Sequence, residues 1–301
     1  MISRLPSSIR GIISLSFMVI NTVVCATPIH LLALTKILVR NTLWQRICAR
    51  AIQSIGNCWI RGILMTLKLT QGTAYEIEGL EGLSRDKWYF INCNHQSWSD
   101  ILILFRVFHG HVPFLKFFLK KQLFWVPFMG IAWWALDFPF MERFSRGYLE
   151  KNPHMRGKDL ETTRKACARY QHTPVAILNF IEGTRFTHEK HSMQQSPYQH
   201  LLRPKSGGFA FALAAMNGRI SNILDVTIIY PSMHFNFWDY LCGRIPHIIV
   251  KVKKLPVPGH FLQGDYQNDD GFRDRFQLWV CDLWQVKDNL IDQHKNGRLG
   301  C

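Results

Sequence analysis

The sequence predicts an α/β fold: a mostly parallel central sheet flanked by helices, with an N-terminal membrane-associated helical segment. Three observations predict it. Short apolar runs alternate with helical stretches from residue 75 onward. Two polar clusters, Asn94-His95-Gln96-Ser97-Trp98-Ser99-Asp100 and Glu182-Gly183-Thr184-Arg185, each follow such a run directly, as when buried parallel strands deliver polar groups to one sheet edge. Residues 11–35 are apolar over nearly the roughly 20 residues that cross a bilayer. The chain divides accordingly into 1–70, a membrane helix plus an amphipathic interfacial helix, and 71–301, a catalytic domain.

The elements follow in order. Asn21, Thr22, Pro28 and His30 interrupt the first apolar stretch, so a kinked or partly immersed helix competes with a full crossing. A signal peptide is the rival, but no small-x-small cleavage site follows. Lys36, Arg40, Arg46, Arg50, Arg61 and Lys68 lie after the stretch and only Arg4 and Arg10 before it, which places the bulk of the chain in the cytoplasm. Residues 52–69 read as an amphipathic helix in the interface. Strands are expected at Tyr75–Glu78, Trp88–Cys93, Val175–Ile181, Ile223–Tyr230 and Ile248–Val252, and helices at Trp98–Phe108, Leu160–Gln171 and Gly207–Met216. Residues 186–204 read as a loop. Residues 272–292 carry Phe272, Phe276, Trp279, Leu283, Val286 and Leu290 at helical spacing, which predicts a C-terminal amphipathic helix packed on the core. The run Leu123–Met141 is hydrophobic enough to suggest another span. It lies between the two polar clusters, so one crossing would put them on opposite sides of a membrane. If both serve one site, the run folds back.

Thirty-six Lys and Arg stand against 21 Asp and Glu, a net charge of +15 that calls for an anionic partner. No zinc-finger spacing, RNA-binding sheet motif or basic heptad region points to nucleic acid. The hydrophobic content of 48% favours an anionic lipid surface. Eight scattered cysteines form no C-x-x-C pair, and no His cluster has metal-ligand spacing, so free thiols and no metal are expected.

His95 with Asp100 is a minimal general-base kit: the imidazole takes a proton and the carboxylate fixes its tautomer. Ser97 or Ser99 would cap the helix that starts near Trp98 and set Asp100 in its first turn. Glu182-Gly183-Thr184-Arg185 offers an acid, a hydroxyl, a guanidinium fork and a glycine, a set that suits phosphate. Each cluster also has a bland reading: an incidental His before a capped helix, and Glu182 paired with Arg185 at a strand end. Cys93 near His95 is a rival nucleophile, for which packing is the preferred role.

Together these blocks resemble the glycerolipid acyltransferase family, the 1-acylglycerol-3-phosphate acyltransferases and their relatives. The NH-x4-D block is Asn94, His95 and Asp100. The Phe-Pro-Glu-Gly-Thr-Arg block is Phe180 to Arg185, with Ile181 in place of Pro. Phe140-Met141-Glu142-Arg143 resembles the Phe-Ile-Asp-Arg block, Val226 to Pro231 the strand ending in Pro, and Lys205-Ser206-Gly207 a Lys-x-Gly step before a helix. The form of the third block looks closest to a bacterial branch akin to lysocardiolipin and endoplasmic-reticulum acyltransferases. The resemblance implies His95 and Asp100 as catalytic residues. It implies Glu182, Gly183, Thr184, Arg185, Arg143 and Lys205 as substrate-binding residues, although Arg143 is equally a surface residue of a basic protein. It also implies acyl transfer from acyl-CoA or acyl carrier protein to a lysophospholipid without cofactor or metal, on the cytoplasmic face of a bacterial inner membrane. The acceptor is expected to be 1-acylglycerol-3-phosphate, or else another lysophospholipid such as lysophosphatidylglycerol or lysocardiolipin. A Cys93-dependent acyl hydrolase and a non-catalytic lipid-binding protein stay open.

Overall fold

The computed structural model describes residues 5–141, 161, 167, 170, 173–216, 218–220, 222–231, 235–262 and 264–296. They fall into two compact units.

The first unit gathers Met1–Thr73, Phe117–Arg143 and Phe237–Pro246, the last of which opens with the short helix α7 (Phe237–Leu241). Helices α1 (Ser7–Leu38) and α2 (Thr42–Thr70) form an antiparallel hairpin. The turn is fixed by Asn41, whose side-chain oxygen accepts from Leu43 N and Trp44 N at 2.9 and 3.1 Å and caps α2. On α1 the buried positions Gly11, Ser14, Met18, Ala26, Ile29 and Ala33 fall at steps of three, four or eight residues along one face and are mostly small, which lets another backbone come close. A Cβ on Gly62 of α2 would lie 2.2 Å from the Asn21 side chain. The polar residues that interrupt the apolar stretch are satisfied across the hairpin. Asn21 Nδ2 donates to Trp59 O at 2.9 Å, and Trp59 Nε1 donates to Thr22 Oγ1 at 3.0 Å. The remaining face of α1, with Ile12, Phe17, Ile20, Val24, Leu31 and Leu34, is exposed. Part of the stripe on residues 52–69 that the sequence assigns to a lipid interface (Ile52, Ile60, Ile63, Leu67) is buried.

The run 123–141 does fold back. A 3₁₀ turn (Lys121–Trp125) leads into the seven-residue helix α4 (Met129–Ala135), and strand β5 (Phe140–Met141) returns beside β4 (Leu119–Lys120). Helix α4 packs on α1. Seven residues rise only about 10 Å, far short of a bilayer.

The second unit holds the sheet, in the order β1 (Ala74–Glu78), β8 (His247–Pro256), β7 (Asn222–Ile229), β2 (Tyr89–Cys93), β6 (Ala176–Phe180), β3 (Leu115–Phe117). Strands β2, β6 and β7 run parallel, as do β1 and β8, while β7 and β8 are antiparallel. All five residues of β2 are buried, as expected for a strand with both faces covered. Flanking helices are α3 (Ser99–Phe108), α6 (Gly207–Ala215) and α8 (Asp270–Asn296). The α8 residues Phe276, Val280, Trp284 and Ile291 are fully buried, and so is Lys287. Lys287 Nζ sits 3.0 Å from Asp225 Oδ1 and donates to Thr227 Oγ1 at 3.1 Å.

One expectation changes. Residues 186–204 are not all loop: α5 spans His188–Gln194, capped by Thr187, whose side chain accepts from Lys190 N. The helix expected at Leu160–Gln171 lies largely outside the described residues.

Candidate active site

The site forms where parallel strands β2 and β6 end, the usual place for ligands in such sheets. In the register Cys93 stands opposite Phe180, so the two polar clusters leave the sheet side by side. They are then joined by main chain: Phe186 N donates to His95 O at 2.7 Å. Asn94 is wholly buried and anchors the first cluster. Its side-chain amide donates to Ile228 O and accepts from Ile228 N, both at 2.9 Å, mimicking one more peptide of the sheet.

His95 Nδ1 lies 2.9 Å from Asp100 Oδ2. A carboxylate oxygen only accepts, so Nδ1 carries the hydrogen and Nε2 is left with a lone pair. The ring stacks on Phe180 at 3.9 Å between centroids, which fixes its plane. Asp100 is fully buried in the first turn of α3. Its Oδ2 also accepts from Gln96 N at 2.7 Å and Ser97 N at 2.9 Å, and its Oδ1 accepts from Tyr230 OH at 2.6 Å. Of the two serines, Ser97 meets the start of α3: its Oγ accepts from Ser99 N at 3.3 Å and from Ser99 Oγ–H at 2.6 Å, while Trp98, immediately before the helix, offers no side-chain cap.

Glu182 differs from expectation. Instead of facing a ligand it is fully buried. Oε1 accepts from His95 N at 3.0 Å and Oε2 from Leu202 N at 3.3 Å, so both oxygens are engaged by main chain. It holds the backbone on which His95 stands. Burial pushes its carboxyl up to about 8, against the downward pull of those two amides. In the unfolded chain the same group titrates near 4.5. Between those values the unfolded state binds fewer protons than the folded one, so this group makes stability fall as pH rises and level off above about 8. Glu182→Gln is expected to flatten that fall. Thermal melts of both proteins between about pH 5 and pH 9 check this, and parallel curves would contradict it.

Gly183 has φ of +71°, and its N–H donates to Phe180 O at 2.8 Å, closing the turn that swings Thr184 and Arg185 outward. The Arg185 guanidinium lies 4.7 Å over the half-exposed Trp98 ring, so the two clusters also meet through side chains. Lys190, on α5, donates to Thr184 Oγ1 at 2.8 Å and to Arg185 O at 3.1 Å. It escaped sequence reading because α5 itself did. The available signal was Thr187 followed by Glu189, a cap and a first-turn acid. Lys205 N donates to Ile181 O at 2.9 Å, which brings an exposed Lys205 beside the same turn. Arg143 and Glu142 lie outside the described residues. Cys93 is fully buried, and burial drives its thiol well above the ordinary range. A thiol held protonated is a poor nucleophile, which matches a packing role.

A family model described as Acyltransferase matches residues 74–232. The chain is 27% identical over 188 residues to the 1-acyl-sn-glycerol-3-phosphate acyltransferase delta of Macaca fascicularis, covering 60% of this chain and 45% of that protein. It is 25% identical over 221 residues to the 1-acyl-sn-glycerol-3-phosphate acyltransferase 2 of Brassica napus, covering 67% and 50%. The chain thus spans about half the length of these relatives. Among solved structures, that of the 1-acyl-sn-glycerophosphate (LPA) acyltransferase PlsC from Thermotoga maritima is similar, with 17% identity, a TM-score of 0.48 and coverage of 92% of this chain and 97% of that one. The matched segment takes in over half the sequence, including His95, Asp100 and the turn from Glu182 to Arg185, and the chain belongs to the acyltransferase family.

Proposed function

We propose that the protein transfers an acyl chain from a thioester, acyl-CoA or acyl carrier protein, to the sn-2 hydroxyl of 1-acylglycerol-3-phosphate, making phosphatidic acid. The observation that carries the reading is the His95–Asp100 pair at 2.9 Å. It stands beside a turn that presents Thr184 and Arg185, with Lys190 bound to that turn. In the proposed step His95 Nε2 takes the proton of the acceptor hydroxyl while Asp100 stabilises the forming imidazolium. The acceptor oxygen attacks the thioester carbonyl carbon. A C–O bond forms, the C–S bond breaks, and the leaving thiolate receives from His95 the proton taken from the acceptor. A thioester is already activated, so the step calls for neither an enzyme nucleophile nor a metal. Arg185, Thr184 and Lys205 hold the acceptor phosphate, with Lys190 bracing the turn. In this reading Glu182 supports the site from beneath.

The outer face of α1 supports a membrane location. Helix α1 is long and apolar enough to cross a bilayer by length and composition. Its partner α2 carries Arg46, Arg50, Arg61 and Lys68, which suit anionic headgroups. In this reading the hairpin holds the enzyme on the cytoplasmic face of a bacterial inner membrane, where acceptor and product reside.

Arg185→Lys tests the substrate class. Lysine keeps the charge but loses both the bidentate fork and the stacking on Trp98. The apparent KM for the phospholipid acceptor is expected to rise about tenfold, the size of one lost charge-assisted hydrogen bond, with the donor KM nearly unchanged. Steady-state kinetics with each substrate varied in turn checks this. A change confined to the donor would assign the turn to the phosphates of coenzyme A.

A further inference from the structure

We propose that Tyr230 is a positioning residue that acts on His95 through Asp100. The proposal rests on the general-base reading given above.

Tyr230 follows the last residue of β7, a strand that pairs directly with β2. It therefore reaches the dyad from a third chain segment, far from either polar cluster in sequence. The residue is buried, and its hydroxyl donates to Asp100 Oδ1 at 2.6 Å. The other carboxylate oxygen is already directed at His95 Nδ1 and at the amides of Gln96 and Ser97. The phenol thus has two effects. It locks the rotation of the carboxylate about its Cβ–Cγ bond, so that Oδ2 stays in the plane of the imidazole. It also draws electron density from the carboxylate through a short charge-assisted hydrogen bond, which moderates the basicity conferred on His95. The Tyr230 ring does not need to meet either substrate for these effects. Ser99 Oγ lies 3.4 Å from the same phenol and 2.6 Å from Ser97 Oγ, so a chain of hydroxyls backs the carboxylate. Among the described residues, Cys93 and Glu182 are coupled electrostatically to Asp100, Lys287 acts on both of them, and Asp225 on β7 acts on Cys93. None of these four groups is altered when Tyr230 is replaced.

Removing the phenol makes Asp100 a stronger base and His95 with it. His95 must be neutral to accept a proton, so the acid limb of kcat/KM moves to higher pH. Tyr230→Phe is therefore expected to lower kcat about tenfold, the size of one hydrogen bond to a charged group, with both KM values changed less than about twofold. The acid limb is expected to move up by roughly half a pH unit. The same substitution made in an Asp100→Asn background is expected to cost less than about twofold, because the group through which it acts is gone. A merely structural role would lower activity equally in both backgrounds and leave the limb in place.

The experiment is pH-resolved steady-state kinetics on the full chain for wild type, Tyr230→Phe, Asp100→Asn and the double variant, with thermal melts alongside. If Tyr230→Phe fails to fold, site-specific replacement of Tyr230 by monofluorotyrosine keeps the shape and makes the phenol a stronger donor. The limb should then move to lower pH. An unmoved limb in the folded variants, or additive losses in the double variant, overturns the proposal. His95→Ala serves as the reference: if it retains turnover, the general-base reading itself fails, whatever Tyr230 does.

Discussion

Replacing His95 by alanine is expected to slow acyl transfer by about 10³- to 10⁴-fold, the upper part of the range for a positioned general base. The expectation follows from geometry. Nδ1 is committed to Asp100, the ring plane is fixed on Phe180, and Nε2 is the lone pair that remains. The fold should survive, because Glu182 and Phe186 hold the main chain of His95 rather than its side chain. Truncation leaves a small cavity against Phe180, costing about 1–3 kcal/mol in stability, which a thermal melt reads directly. Turnover within tenfold of wild type in a protein that melts normally would remove His95 from the mechanism.

Asp100→Asn is expected to cost about 10²-fold in kcat, less than loss of the base itself. Asparagine is nearly the same shape. Its carbonyl oxygen, placed where Oδ2 stands, accepts from His95 Nδ1–H and from the amides of Gln96 and Ser97. What disappears is the negative charge that stabilises the imidazolium as the proton arrives. The two substrate KM values should stay close to wild type, since the carboxylate is fully buried and touches neither substrate in the proposed step. A large rise in either KM with unchanged kcat would assign Asp100 to binding instead.

The parallel strands were legible because β2, β6 and β7 are short, mostly apolar runs, each leading into a polar cluster or a proline. The pairing of His95 with Asp100 was legible because both lie within one helix-initiating turn. Contacts between distant segments were harder to read. Tyr230 reads in sequence only as the end of a strand before a proline, and its bond to Asp100 exists because β7 pairs with β2. Glu182 reads as a ligand because it shares one block with Thr184 and Arg185, and the family resemblance groups all three as substrate-binding. The structure turns it inward, where two amides await it. Helix α5 has no apolar stripe to reveal it and is marked only by its cap. The hairpin partner of α1 was also hidden. Spacing showed an apolar face on residues 52–69 but not that α1 covers part of it.

The central claim, thioester-to-lysophospholipid transfer by a His95–Asp100 base, is tested most directly by incubating the purified full chain with radiolabelled oleoyl-CoA. The acceptors are 1-acylglycerol-3-phosphate, lysophosphatidylglycerol and lysocardiolipin in parallel, and the labelled products are resolved by chromatography. Label should appear in phosphatidic acid fastest, at the sn-2 position, and about 10³- to 10⁴-fold more slowly with His95→Ala. Label released only as free fatty acid, or no transfer to any lysophospholipid by a folded protein, would contradict it.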